Sequence, residues 1–275
     1  MSRTVTPSAG VRSRIKRQLA RVAASRPADG ATLLIYHRVG GGSTDELDVS
    51  LTDFTAQMDV LATPPGRPVV PLDEAVDRLR RGDRTGSVVL TFDDGFADVF
   101  DHAWPVLKER SLPFTVYLAS GLVGGEMRWE GSTAKATGAR ALSWAQLAEM
   151  TGHGLCTVAN HTRSHARPEL LSTAELDTCS DDIEEHLGSR PQHYAYTWGV
   201  PVPQLEPALR ARFRSAATGE VGRNLPGFDP MRLRRVPVRR TDPLDFFRAK
   251  LTGRLLPERA YAHLVAAAKA AGARA

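Results

Sequence analysis

From Ala31 onward, short apolar runs alternate with longer segments whose apolar residues recur every three to four positions. Thr32-Leu33-Leu34-Ile35-Tyr36 is continuous and apolar, predicting a strand covered on both faces, and it ends at His37. Gly40-Gly41-Gly42 opens a loop. Phe54, Met58 and Leu61 then predict a helix, which Pro64-Pro65-Gly66 stops. Val69-Val70 reads as a short strand, and Leu72, Val76 and Leu79 mark the next helix. Residues 87–92 carry the strongest strand pattern and run directly into Asp93-Asp94-Gly95. A helix over about 97–110 and a strand over 114–118 follow. Residues 121–141 are Gly-rich and weakly patterned, as lids and binding loops are. Ser143 is placed to cap a helix, and residues 155–159 form a strand leading into Asn160-His161. Ser172-Thr173-Ala174-Glu175 reads as a capping box. Its helix carries Leu176, Cys179, Ile183 and Leu187 and stops at Gly188. Strands are predicted over 193–196, 215–218 and 233–238, with helices to the C-terminus.

This alternation implies an α/β fold with a mostly parallel sheet and helical crossovers. About seven repeats favour a closed barrel over an open sheet. No internal repeat or second hydrophobic pattern divides it, so residues 29–275 read as one catalytic domain and residues 1–28 as a basic, flexible tail. If residues 10–24 are helical, Val11, Ile15, Leu19 and Val22 share one side, which would allow peripheral contact with an anionic membrane.

Composition narrows the classes. At 275 residues, 42% hydrophobic and 24% charged, the chain is of ordinary globular make-up and long enough for a large core. The net charge of +5 concentrates in residues 11–21 and 232–240. No aromatic residue interleaves with either cluster, so neither is a platform for single-stranded nucleic acid. No glycine-rich phosphate loop supports nucleotide chemistry. No apolar stretch approaches the ~20 residues of a membrane helix. The N-terminus lacks the apolar core of a secretory signal, and the two cysteines read as buried free thiols, so a cytoplasmic location is the expectation.

In α/β barrels, chemistry gathers where strands end. The polar residues there are His37, Asp93 with Asp94, His161 with His165, and Thr197-Trp198. Adjacent carboxylates after a buried strand repel one another, and a cation relieves that. An isolated Asp-Asp-Gly is more often a helix N-cap. His161 and His165, at i and i+4, can reach one ion, although either is equally at home on a surface. Combined with Asp94 they make a two-histidine, one-carboxylate set with open positions, as catalytic rather than structural metal sites have.

Thr91-Phe92-Asp93-Asp94-Gly95 and His161-Thr162-Arg163-Ser164-His165 resemble the first two motifs of the polysaccharide deacetylases, the NodB-homology domain of carbohydrate esterase family four. The resemblance extends from Tyr36-His37-Arg38-Val39 to Leu233-Arg234-Arg235-Val236. It implies a distorted, NodB-like (β/α) barrel of about seven strands. It further implies a metal-dependent hydrolase that removes N-acetyl groups from a carbohydrate. Asp93 would be the general base, and Asp94, His161 and His165 the ligands of a divalent metal, usually zinc. His37 resembles the general acid that some relatives carry near the N-terminus; a buried structural histidine is the competing reading. The third family motif is altered: Ala195 replaces an arginine that orients the base, and Thr197 and Trp198 replace Pro and Tyr. The N–H of Trp198 can still serve an oxyanion, because that role needs no particular side chain. Arg235 and Arg163 are the candidate arginines for the missing role. Trp129, Tyr196 and Arg235 are the expected substrate contacts. A non-sugar amide or ester substrate, or a carbohydrate-binding protein with a degenerate site, are the alternatives.

Overall fold

The structure is a computed structural model that describes residues 8–21, 29–63, 66–129, 131–132, 138–252 and 255–272. Seven parallel strands close into a barrel in the order β1 (Ala31–Tyr36), β4 (Ser87–Asp94), β5 (Phe114–Leu118), β6 (Cys156–Asn160), β7 (His193–Ala195), β8 (Ser215–Val221) and β9 (Leu233–Pro237). Closure is made by β9 pairing with β1, Leu33 opposite Arg235. The short strands β2 (Arg38–Val39) and β3 (Asp48–Val49) pair outside the barrel. The barrel is distorted at two places. β6 meets β7 at one residue pair, Asn160 with Tyr194, and the β8–β9 register shifts between Ala217 and Val221. The strand expected at 69–70 is a single bridge from Val69 to Val88.

Alternation along the strands sorts side chains into two sets. One set, including Leu34, Tyr36, Leu90, Phe92, Phe114, Val116 and Val158, packs outward. It meets Phe54 and Met58 of α2 (Leu51–Ala62), Trp104 and Leu107 of α4 (Trp104–Glu109), Leu147 and Met150 of α5 (Trp144–Gly152), and Cys179 and Ile183 of α6 (Thr173–Leu187). The other set fills the barrel with Leu33, Val89, Tyr117, Ala159, Ala195, Ala217 and Leu233. Leu72, Ala75 and Val76 of α3 (Leu72–Arg80) join this inner cluster, and Asp73 of α3 binds His193 and Arg214. Helix α3 therefore lies across the mouth where strands begin, leaving the mouth where they end for function.

The expected flexible tail is corrected over residues 9–20. They form α1 (Ala9–Ala20), docked against α8 (Leu244–Lys250) and α9 (Leu256–Gly272). The reason is Lys16, whose ammonium is buried and binds Asp242 at 2.6 Å and Thr241 at 2.7 Å. Arg12 reaches Glu46 at 3.0 Å. A buried charge with a matched partner ties a helix down, and removing one partner of such a pair typically costs ~3–5 kcal/mol. The proposed membrane-facing side of this segment includes Val22, which lies outside the described residues. Helix α7 (Glu206–Arg212) completes the outer layer. Both cysteines are free and buried, and burial pushes both thiols up, Cys179 to about 11, so neither is a ready nucleophile. Among the described residues no helix is long and apolar enough to cross a membrane.

Candidate active site

The inward sides of β1, β4, β6 and β9 each lead to a polar residue at the open mouth. Residues 33, 35 and 37 share one side of their strand and its extension, as do 89, 91 and 93, 159 and 161, and 233 and 235. That parity converges His37, Asp93, His161 and Arg235, and all four line one cavity of about 290 Å³ together with Asp94, His165, Trp129 and Trp198.

Asp94, His161 and His165 place one ligand atom each within 4.8 Å of one another, and all three are buried. His161 Nε2 and His165 Nε2 both stand 3.3 Å from Asp94 Oδ1. Their geometry makes no hydrogen bond to that oxygen, which is left without a partner. His161 Nδ1 binds the Ala195 carbonyl at 2.9 Å. Since a carbonyl only accepts, this nitrogen carries the proton and Nε2 offers a lone pair. A buried, unpartnered carboxylate oxygen facing imidazole nitrogens is costly unless a cation sits among them. The donor set therefore fits a divalent metal.

Electrostatics agree. Burial opposes ionisation of Asp94, but the two imidazoles overcome it and hold the carboxyl well below the usual range. Burial lowers the His161 pKa, whereas Asp94 and Asp93 raise it by more, leaving it above 6.5. A proton and a metal ion thus compete for one site.

Asp93 is turned away from this cluster. Its Oδ1 accepts from Arg235 Nη1 at 2.6 Å, and Arg235 Nε donates to the Thr218 carbonyl at 2.9 Å. The guanidinium also lies 5.4 Å from the centre of the Tyr117 ring. Burial works against the Asp93 charge, but Arg235, His161 and His37 more than compensate, and the carboxyl sits below its ordinary range. Of the two roles expected for Arg235, substrate contact and stand-in for the missing arginine, the structure places it beside Asp93 at the cavity, 1% exposed. The parity of β9 carried that signal, because residue 235 falls on the inward side.

The histidine loop is built, not helical. Asn160 Oδ1 accepts from Thr162 N at 2.9 Å, and Thr162 Oγ1 accepts from Ala166 N at 3.1 Å. Ser172 caps α6 as expected. Glu175, expected to complete the box, turns instead to Ser164, accepting from its N at 2.8 Å and its Oγ at 2.9 Å. Helix α6 therefore anchors the two ligands from outside. Asp94, Thr162, His165 and Trp198 all hold positive φ, between 54° and 74°. Such strain gathers where the surroundings over-determine the backbone.

Trp129 and Trp198 lie at the cavity as expected, Trp198 44% exposed. His37 also lines it. Tyr196 does not: it is buried against Tyr194, with ring centres 5.2 Å apart, in a cluster with Leu176 and Phe213. Side chains alternate, so Ala195 takes the inward place and Tyr196 the outward one. Sequence reasoning missed Asn160, Thr162 and Glu175, whose short polar or capping character reads as ordinary loop chemistry.

A family profile described as polysaccharide deacetylase matches residues 80–210. YxkH of Bacillus subtilis (strain 168), whose name places it among these deacetylases, is 26% identical over 136 residues, covering 48% of this chain and 42% of that protein. The chain thus spans less than half the length of that curated relative. The structure of IcaB from Ammonifex degensii superposes with a TM-score of 0.69 and 30% identity, covering 82% of this chain and 98% of that one. The deacetylase PplD of Streptococcus pyogenes, solved in complex with acetate, has the same fold, with a TM-score of 0.67 and 22% identity over 82% of this chain and 99% of that one.

Proposed function

Since this chain belongs to the polysaccharide deacetylase family, we propose that it hydrolyses the N-acetyl groups of an N-acetylated carbohydrate. The observation that carries this is a division of labour between adjacent carboxylates. Asp94 faces the two histidines, whereas Asp93 is held apart by Arg235. Asp94, His161 and His165 would hold the divalent cation, zinc by its donor set. When bound, it supplies Lewis-acid polarisation of the amide carbonyl and acidifies water.

The remaining steps fall to side chains and one peptide group. Asp93, ionised and oriented by Arg235, takes the proton of the attacking water. The N–H of Trp198 donates to the oxyanion as the carbonyl carbon becomes tetrahedral. His37 gives a proton to the amide nitrogen, so that the C–N bond breaks to leave acetate and the free amine. Arg235 fills the role that Ala195 vacates in the third motif, approaching Asp93 from β9. A protein kept only for carbohydrate binding would have no use for this full set.

Acetate release from N-acetylated oligosaccharides tests the reading. Asp93→Asn is expected to abolish release while leaving metal binding in place. Full activity in that variant would remove Asp93 as the base, and no release by the metal-loaded protein from any N-acetylated sugar would remove the function.

A further inference from the structure

The inner layer of the barrel beneath the site is built mainly of small and aliphatic side chains, among them Leu33, Val89, Ala159, Ala195, Ala217 and Leu233. Tyr117 of β5 is the one aromatic ring among the buried, described residues of that cluster, and it is 0% exposed. The sheet register sets it directly beside Asp93 on β4, and beside Ala159 on β6, two residues before His161. Asp93 and His161 share the inward side with it. Alanine at 159, 195 and 217 leaves room for the ring.

The ring meets the site through its face. Cζ of Arg235 lies over it, 5.4 Å from the ring centre, and the His161 ring centre is 6.4 Å away. The Tyr117 hydroxyl is buried and makes no hydrogen bond among the described residues, so its hold on the site is the ring, not the oxygen. Arg235 donates two hydrogen bonds, from Nε to the Thr218 carbonyl and from Nη1 to Asp93. Two such contacts fix a planar group along one line and leave it free to tilt about that line. An aromatic face against the cation removes that freedom. The attraction of a guanidinium to the ring quadrupole is strongest where water is excluded, as it is between these two buried side chains.

We propose that Tyr117 is a positioning residue for the hydrolysis: its ring face fixes the tilt of the Arg235 guanidinium and, through it, the aim of the Asp93 carboxylate at the attacking water. This rests on the deacetylase reading.

The test is steady-state acetate release from a hexamer of N-acetylglucosamine by the full chain loaded with zinc. Tyr117→Leu keeps an apolar side chain but offers no face. Its kcat is expected to fall ~10–30-fold, the upper figure being the ~2 kcal/mol of a desolvated cation–π contact, with KM little changed. Tyr117→Phe restores the face without the hydroxyl and should recover most of that loss. In an Arg235→Met background, Tyr117→Leu should cost almost nothing more, because both changes act through one contact, whereas a mere packing role would add its own loss. Should the leucine variant fail to fold, phenylalanines of increasing ring fluorination at position 117 keep the shape and weaken the face, and kcat should fall stepwise along that series. A flat kcat across the series overturns the inference, as does a Tyr117→Leu loss that persists undiminished beside Arg235→Met. So does a Tyr117→Phe loss as large as that of Tyr117→Leu, which would assign the effect to the hydroxyl. Each of these leaves the deacetylase reading standing, since the wild-type protein releases acetate. No release by the wild-type protein overturns that reading and the inference with it.

Discussion

The guanidinium of Arg235 and the carboxylate of Asp93 lie 2.6 Å apart, although they come from strands on opposite sides of β1. The pair is buried and has a second anchor in the Thr218 carbonyl. In the proposed mechanism Arg235 supplies the orienting contact for Asp93 that Ala195 does not, from strand β9.

Replacing Arg235 should therefore act on turnover more than on binding. Arg235→Met is expected to lower kcat by ~10²–10⁴, the usual worth of a positioned base, with a smaller change in KM. Steady-state kinetics on an N-acetylated oligosaccharide read the split. Arg235→Lys should restore part of the loss, since a point charge keeps the field but not the fork. A KM effect with kcat intact would return Arg235 to substrate contact.

Metal binding should stabilise the fold and depend on pH. Zinc at 100 times its Kd is expected to add ~2.7 kcal/mol, visible as a rise in Tm that a chelator reverses. The direction with pH follows from His161, whose pKa is raised above 6.5. Below that raised pKa a proton occupies Nε2, so apparent metal affinity falls as pH falls through it. Calorimetric titration at pH 8 and pH 6 checks the sign; equal affinities would detach His161 from the ion.

Glu175 should matter to the metal although it does not reach it. Glu175→Ala frees Ser164 and loosens the histidine loop, and metal affinity is expected to fall ~10–100-fold. The Ser172 cap does not need the Glu175 side chain, so α6 should survive with a loss of about 1 kcal/mol or less. Metal titration and chemical denaturation of the same variant separate the two effects.

Asp98 supplies a pH dependence of stability away from the site. Burial raises its pKa from 3.8 to about 6, despite an ion pair with Arg38 at 2.8 Å. A carboxyl with a raised folded pKa stabilises the fold when protonated and loses that contribution as pH rises. Between about pH 4 and 6 the folded state holds more protons than the unfolded chain, so this contribution falls with rising pH, by roughly 3 kcal/mol in all. Asp98→Asn should remove that slope from the difference between the two proteins' unfolding free energies. Parallel slopes would refute it.

Much of the fold was legible because strand and helix periods differ, and several apolar runs, such as 32–36, 87–92 and 155–159, lead directly into polar residues. The ligands were legible for the same reason: Asp94, His161 and His165 stand at strand ends in a recurring pattern. What escaped involved partners distant in sequence. Lys16 reads as one more charge in a basic run until Asp242 is seen beside it. Tyr196, expected at the cavity, falls instead on the outward side because alternate residues of a strand face opposite ways. Glu175 was readable as a cap, but its turn toward Ser164 depends on where another loop passes.

The left-handed backbone at Asp94, Thr162, His165 and Trp198 has a consequence for how the protein can change. Each such position costs ~1–3 kcal/mol, so the site is a reserve of stability that is not being used. A search for hardier variants would be drawn to it, for instance through glycine at Thr162. The same change would release the Ala166 amide and slacken the loop that carries both histidines. Robustness and function therefore compete within the same few residues, and durable variants should be sought on the outer helices instead.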